Sequence, residues 1–392
     1  MLRVAAGLAW RQLTHRGGKL VGALLGVCVA IVLIFTQVGF RNALYDSACG
    51  ITRSLDTDIL IAGATFHSWG DAPPWLPRAL LYEAASVPGI KSAHPLYVSA
   101  IQTSSPVDGH SMSTSLLAFP SHAPVFLKPE INAQLDILTV PNRVLMDRKS
   151  RDDFQVARER FEKTGQLTLT LLGAAESLQK TVEVPGLFQI GPSFSIDGTM
   201  VTSDMNYHRI TGIPLDRISL GLIRVADGAD PARVKAAIEA KLGTRARVFL
   251  KSEFMDNEIH YYSRETPIGT IFNMGLVVGT IVGIVFISQA LHGIVNDNIR
   301  EYAALRAVGY SQSFFVMLVS VVSLAISVAA YLPSCLAAWG VYSVAAAATK
   351  LPLVMKPINM LTILGVVVVM GQVATLFAIK RLKNANPVDL FG

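Results

Sequence analysis

The residues whose types and spacing best suit noncovalent binding lie in one short charged segment, residues 296–310 (NDNIREYAALRAVGY). This segment separates two long apolar stretches. Four of its residues recur at helical spacing: Ile299, Tyr302, Ala303 and Arg306. They would give one side of a helix an apolar and aromatic edge beside a guanidinium group. Such a face suits noncovalent docking into a groove on another protein. A solvated connector, kept out of the lipid by its charges, explains the periodicity equally well.

Helix signals bound this segment at both ends. Asn296 or Asp297 is a suitable N-cap, and Gly309 stands where a helix would end. The spacing predicts a helix of about three turns.

Motifs of enzymatic chemistry do not occur in the sequence. Gly17, Gly18 and Lys19 lack the upstream spacing of a phosphate-binding loop, and there is no G-x-S-x-G, H-E-x-x-H or C-x-x-C pattern. The eight histidines are scattered, without metal-ligand spacing. We therefore predict a non-catalytic chain with no catalytic residue, no metal ligand and no assignable substrate-binding residue. A catalytic triad assembled by folding is the open alternative.

The composition is that of a membrane protein. Of the 392 residues 51% are hydrophobic and 16% charged, and the mean hydropathy is +0.44. Four apolar blocks are each long enough to cross a bilayer, which takes about 20 residues; they span 20–40, 268–291, 314–344 and 358–379. None contains an Asp, Glu, Lys or Arg. This argues against a proton-coupled transporter or an ion pump.

The positions of the charges predict the topology. The net charge is +6, and basic residues flank both ends of the membrane region: Arg3, Arg11, Arg16 and Lys19 before the first block, and Lys380, Arg381 and Lys383 after the last. By the positive-inside rule both termini are cytoplasmic, so residues 41–267 lie outside. The basic excess reflects topology and predicts no nucleic-acid partner. Of the three cysteines only Cys49 faces an oxidising compartment, so no disulfide framework is expected in the outer domain.

The predicted domain map follows from these blocks. It comprises a cytoplasmic amphipathic N-terminal helix (1–19), a first transmembrane helix (20–40), an extracytoplasmic domain (41–267), a second transmembrane helix (268–293), a cytoplasmic loop (294–312), a third transmembrane helix (313–344), a short outer loop (345–357), a fourth transmembrane helix (358–379) and a cytoplasmic tail (380–392).

The predicted outer domain contains two similar parts. Strand, helix and strand patterns occur at 59–62, 76–86 and 90–101, and again at 218–225, 230–242 and 246–251. Two such βαβ halves can pack as one split βαβ sandwich. The intervening strand-like runs, at 113–119, 167–172, 181–189 and 199–202, predict an inserted, mainly β subdomain. The charged run 148–163 is interpreted as an exposed helix or loop.

The second apolar block has a glycine every four residues, at Gly275, Gly279 and Gly283. Small residues at this spacing let helices approach closely. We expect this face to pack against another crossing or against a second subunit.

The architecture and two motifs resemble one transporter family. Residues 300–310 (REYAALRAVGY) are similar to an R-E-x-a-x-L-R-A-x-G segment, and residues 386–390 (NPVDL) to a closing N/D-P-x-x-x-L motif, although Leu390 comes one place early. Together they resemble the MacB/FtsX-like permeases of ABC transporters, the type VII or mechanotransmission class. The stretches 8–13 (LAWRQL) and 34–40 (IFTQVGF) are similar to the DevC branch, which contains permeases of glycolipid-type exporters.

This resemblance implies a role for the charged segment as a coupling helix in a groove of a separate ABC ATPase. Glu301, Leu305, Arg306 and Gly309 match the motif, and helix geometry adds Ile299 and Tyr302. It implies a four-helix inner-membrane protein with a large α+β domain, porter-like in its split βαβ part, between helices 1 and 2.

The resemblance also implies partners. These are two ATPase subunits that bind ATP and Mg, a second copy of the chain, a membrane-fusion adaptor, and a TolC-like outer-membrane channel for a lipid-like or amphiphilic substrate. No cofactor is expected in this chain. Three alternatives are a lipoprotein-releasing permease, an FtsX-like regulator of cell-wall hydrolases, and a sensory or structural membrane protein without an ATPase.

Overall fold

The structure is a computed structural model that describes residues 7–8, 17–69, 75–104, 111–151, 155–172, 179–193 and 196–384, with the side chains of 17–20, 23 and 380–384 excepted. The predicted N-terminal helix 1–19 lies largely outside these residues, and the closing motif 386–390 lies wholly outside them. The chain divides into a helical unit (Met1–Asn42, Pro267–Val344, Leu353–Gly392) and an α/β unit (Ala43–Thr266, Ala345–Pro352).

The first elements lead into the α/β unit. They are helix α1 (Gly17–Ala48), helix α2 (Gly50–Ser54), strand β1 (Ile59–Gly63), strand β2 (Leu76–Pro77), helix α3 (Arg78–Ala85) and strand β3 (Ile90–Ser104). An insertion follows with β4 (Ser111–Phe119), α4 (Pro129–Asn132), a 3-10 turn (Leu135–Thr139), β5 (Arg143–Asp147), α5 (Gln155–Thr164), β6 (Leu167–Leu172), β7 (Gln179–Phe188), β8 (Gly198–Ser203) and α6 (Asp204–Thr211).

The chain then completes the sheet and enters the remaining long helices. These elements are β9 (Arg217–Ile218), β10 (Leu220–Val225), α7 (Pro231–Leu242), a 3-10 turn (Gly243–Arg245), β11 (Ala246–Leu250), α8 (Lys251–His260), a π-helical turn (Tyr261–Glu265), α9 (Pro267–Asp297), α10 (Ile299–Ala307), α11 (Gln312–Thr349) and α12 (Pro357–Asn384). Among the described residues, four helices are long and apolar enough to cross a membrane, namely α1, α9, α11 and α12. The predicted fold class is confirmed, with the α/β unit inserted after the first of them.

The two predicted βαβ halves form one sheet. Strands β11, β1, β10 and β3 lie side by side in that order and all three pairs are antiparallel. Each half therefore contributes one central and one flanking strand, which is the interleaving that a split βαβ sandwich requires. Local signals support the helices: the Asp230 carboxylate accepts from the Ala232 amide at the N-terminus of α7, and Pro231 occupies its first turn.

The inserted subdomain closes on itself. Strand β3 continues for 15 residues, and its second half pairs with β4 on one side and with β6 on the other. The remaining pairs, β4–β8, β8–β5, β5–β7 and β7–β6, complete a ring of six strands. The mainly β prediction is thus confirmed, and β3 joins the two parts of the unit.

Both faces of the central sheet are buried. Ile59 and Ile61 on β1 belong to a cluster that includes Leu81 of α3 and Ile238 of α7. The alternate residues of β1, Leu60 and Ala62, belong to a second cluster on the opposite face. The strand is therefore hydrophobic throughout, and no alternation marks it in the sequence.

In the helical unit, α11 contacts both α1 and α12. The Ser323 hydroxyl donates to the Gly371 carbonyl (2.7 Å), and the Tyr342 hydroxyl donates to the Phe35 carbonyl. Pro333 lies within α11. Hydroxyl-to-carbonyl bonds of this kind satisfy polar side chains where lipid offers no partner.

Candidate functional site

The candidate site is the helix α10 and the turn after it. The helix begins later than predicted, because α9 continues as a helix to Asp297 and Asn298 is the first residue outside helical geometry. Asn296 and Asp297 are therefore the last residues of α9, and the prediction that one of them caps α10 is wrong. The side-chain amide of Asn298 donates to the Ile294 carbonyl (2.7 Å), so it satisfies a carbonyl group at the end of α9.

The helix ends as predicted. Gly309 has φ +97°, a conformation that favours glycine. Its amide donates to the Arg306 carbonyl (3.1 Å), and the Tyr310 amide donates to the Leu305 carbonyl (3.2 Å). These bonds close the last turn, and a side chain at Gly309 would strain it.

One side of α10 packs against the start of α11. The Tyr302 side chain is only 5% exposed, and its ring lies edge-on to Phe315 with centroids 5.9 Å apart. Phe315 in turn contacts Phe314 (5.9 Å), which stacks obliquely with Tyr310 (4.6 Å). The aromatic edge predicted to face a partner is thus occupied by the chain itself, and Tyr302 positions α10.

The opposite side of α10 is exposed. Among the predicted residues, Glu301, Arg306 and Gly309 are exposed, whereas Ile299 and Leu305 are half-buried. Val308, which is not among the predicted residues, is 79% exposed. The exposed surface, which we call the outer face of α10, consists of Arg300, Glu301, Ala304, Arg306, Ala307, Val308 and Gly309.

The charges of this face match the helix dipole. Glu301 lies in the first turn and Arg306 in the last, the ends at which an acid and a base are respectively favourable. Val308 lies just beyond Arg306, so an apolar side chain lies at the end of the charged helix. An exposed valine in such a position can be buried by a partner while the charges set the orientation. The only sequence signal for Val308 is its place immediately before the terminating glycine.

The glycines of α9 face α1 within the same chain. A Cβ at Gly275 would collide with Gln37, and one at Gly279 would lie 3.1 Å from Ile34. A Cβ at Gly283 would lie 3.4 Å from Ala30 and would collide with a methionine of α12. This face of α9 therefore packs against other crossings of the same chain.

Within the ranges that the structure describes, no group of three or more His, Cys, Asp or Glu side chains could hold a metal ion. The arrangement around α10 is suited to binding between proteins.

Comparison with known families concerns this same region. Residues 273–387 match the family model of the FtsX-like permease C-terminal domain. The matched region thus includes most of α9 and all of α10, α11 and α12. The remainder of the chain lies outside the match. No curated protein matches the chain significantly.

Solved structures similar to about half of the chain include three domains of transport or permease proteins. The periplasmic region of MacB from Actinobacillus actinomycetemcomitans is 11% identical, with a TM-score of 0.33, over 51% of this chain and 91% of that one. The extracellular domain of the ABC-type transporter YknZ from Gram-positive bacteria is 15% identical, with a TM-score of 0.32, over 49% and 98%. A domain of a permease protein from Porphyromonas gingivalis is 15% identical, with a TM-score of 0.31, over 49% and 86%.

Proposed function

We propose that this chain is the permease subunit of an ABC transporter and that the outer face of α10 docks on a separate ATPase. The observation that carries the proposal is the FtsX-like permease domain, whose match includes α10. The permease would hydrolyse no ATP itself, because ATP and Mg would be bound by the partner.

The geometry of α10 supports this role. Glu301 and Arg306 are exposed at opposite ends of the helix, and Val308 adds an exposed apolar side chain. Leu305 is half-buried between the two faces, so it could contact a partner at the rim of a groove. Gly309 allows the tight turn that returns the chain to α11.

The inward side of α10 supports transmission of force. A push on the outer face would reach α11 through the contact between Tyr302 and Phe315, since both rings are buried. Packed aromatic rings transmit displacement because a close-packed interior is nearly incompressible. We propose that tilting of the membrane helices then moves the α/β unit.

The finer assignment extends this proposal. We propose a DevC-like exporter in the inner membrane, with both termini cytoplasmic, that acts as a homodimer with two ATPase subunits. An adaptor and an outer-membrane channel would receive a lipid-like or amphiphilic substrate. Lipoprotein release and regulation of cell-wall hydrolases are the alternatives, and the identity of the outer partner distinguishes them.

Tagged purification from native membranes tests the proposal. Mass spectrometry would identify what copurifies with the wild type, with Glu301→Lys, and with Arg233→Glu as a charge-reversal control on the exposed surface of α7. We expect an ATPase with the wild type and the control but not with Glu301→Lys. Recovery of no ATPase with the wild type, even after crosslinking, would contradict the proposal.

A further inference from the structure

The longer part of the α/β unit, residues 43–266, begins and ends in two segments that contact each other within that unit. The entering segment, residues 43–55, continues from α1, and the leaving segment, residues 251–266, continues into α9. The Cys49 thiol lies 3.6 Å from the Met255 carbonyl oxygen, to which it can donate. Cys49 has no exposed surface, so this contact is closed to solvent.

The side chain of Lys251 in the leaving segment forms hydrogen bonds with the backbone of the entering segment. Its Nζ donates to the carbonyl oxygens of Leu55 (2.6 Å) and Arg53 (3.3 Å), at the end of α2. The last carbonyls of a helix have no partner within it, and a cation there is favourable. Lys251 therefore binds the end of the entering segment from the first residue of α8.

Glu258 of the leaving segment is connected to the entering segment through hydrogen bonds of Trp69. The Glu258 side chain has no exposed surface, and its two oxygens accept from the Ser68 hydroxyl (2.8 Å) and the Trp69 amide (3.1 Å). The Trp69 indole nitrogen in turn donates to the hydroxyl of Thr52 (3.2 Å). A continuous series of hydrogen bonds thus leads from the leaving segment through Trp69 to the entering segment.

Aromatic packing holds this series in place. Phe254, one turn before Glu258, stacks on Phe66 (5.3 Å) and lies edge-on to Trp69 (6.1 Å). Such ring pairs add to the stabilisation that burial alone provides.

The burial of Glu258 makes the arrangement sensitive to its loss. A buried carboxylate is costly unless it is hydrogen-bonded, and removing it would leave buried donors unsatisfied. The substitution Glu258→Leu would therefore loosen the loop with Trp69 as well as the helix α8.

We infer that Glu258 and Lys251 are positioning residues that keep the entering and leaving segments joined throughout ATP hydrolysis. Because each segment continues into a membrane helix, the α/β unit would respond to α1 and α9 as a pair and not to either helix alone. This inference rests on the proposed function.

Cys49 provides a native reporter for the joined state. The full-length chain, copurified with its ATPase in nanodiscs, would be treated with N-ethylmaleimide in the absence of nucleotide and during ATP turnover. Peptide mass spectrometry would give the labelling rate of Cys49 separately from those of Cys28 and Cys335. A thiol shielded between the segments reacts only when they separate.

Two variants establish that the reporter detects separation. Glu258→Leu and Lys251→Met should each accelerate Cys49 labelling at least about tenfold without nucleotide. Arg245→Met is the matched control, since it breaks an exposed ion pair with Glu83 in the same unit. It should leave the rate unchanged.

The decisive comparison is the wild type during turnover. We expect its Cys49 rate to stay within about twofold of the resting rate, because the segments remain joined. Acceleration in the wild type during turnover would overturn the inference, and so would unchanged labelling in both variants. Absence of a copurifying ATPase would instead contradict the proposed function, and the labelling rates of the variants without nucleotide would still test whether these residues join the segments.

Discussion

The rings of Tyr302 and Phe315 lie edge-on with their centroids 5.9 Å apart, and both side chains are buried. This contact fastens the charged helix α10 to the first turn of the long apolar helix α11. It turns Tyr302 towards the protein and leaves Glu301, Arg306 and Val308 exposed. The two sides of α10 therefore have separate roles, which can be tested separately.

Removal of the Tyr302 ring should loosen α10. We expect Tyr302→Ala to lose about 3 kcal/mol of local stability, since a buried aromatic side chain is replaced by a cavity. Tyr302→Phe keeps the ring and serves as the control. Hydrogen exchange of residues 299–308 in the full-length chain measures the effect, and equal exchange in Tyr302→Ala and the wild type would contradict it.

A charge at Val308 should prevent docking without affecting the fold. The side chain is 79% exposed, so Val308→Asp costs the isolated chain little, whereas an unpaired carboxylate buried in an interface is costly. We expect recovery of the ATPase to fall at least about tenfold, which corresponds to about 1.4 kcal/mol. Leu127→Asp, at an exposed apolar position of the α/β unit, is the control. Equal recovery from both variants would show that Val308 lies outside the interface.

A large side chain at Gly279 should separate α9 from α1. Even a Cβ there would lie 3.1 Å from Ile34, so Gly279→Leu overpacks the contact at a cost of about 1–3 kcal/mol. Gly293→Leu on the same helix is the matched control, because a Cβ at that position meets no atom within 4 Å. Thermal unfolding of the full-length chain should shift to lower temperature for Gly279→Leu only, and similar midpoints would contradict the packing argument.

The reactivity of Cys49 should depend strongly on pH. Burial raises the pKa of its thiol to about 11, so only about one thiol in a thousand is ionised at pH 8. Because the thiolate is the nucleophile, alkylation should accelerate about tenfold per pH unit between pH 8 and 10. Site-resolved alkylation measures this, and a plateau near pH 9 would indicate an ordinary, exposed thiol.

The raised pKa of the Cys49 thiol also predicts how the stability of the folded chain changes with pH. An unfolded thiol ionises near pH 8.5, whereas the folded one keeps its proton to higher pH, so between these values the folded state binds more protons. Stability should therefore fall as the pH rises above about 8.5. Cys49→Ala removes this contribution, and its unfolding midpoint should vary less with pH; an identical pH dependence would contradict the assignment.

Some of this organisation was predictable from local sequence and some was not. The strands of the split βαβ sandwich and the end of α10 at Gly309 follow from short-range hydrophobic runs and turn residues. Strand β5 (Arg143–Asp147) is not predictable in this way, because its pattern is brief and it pairs with β7 and β8, which are distant in sequence. The pairing of β3 with β6 that closes the ring is likewise a long-range contact.

The candidate site likewise combines features that local sequence predicts with features that depend on contacts between distant residues. Glu301 and Arg306 are exposed, as a solvated helix face requires, but the burial of Tyr302 depends on Phe315, which periodicity within α10 cannot reveal. Similarly, the spacing of Gly279 indicated a close helix contact and left its partner open. The structure places α1 there.

Photocrosslinking from position 308 tests whether α10 contacts an ATP-binding subunit. Val308→p-benzoylphenylalanine would be irradiated in native membranes, with Leu127→p-benzoylphenylalanine as the control, and the adducts would be identified by mass spectrometry. If α10 is the coupling helix, position 308 should form a covalent adduct with an ATP-binding subunit and position 127 should not. Adducts at position 308 that include no ATP-binding protein would contradict the assignment of α10 as the coupling helix.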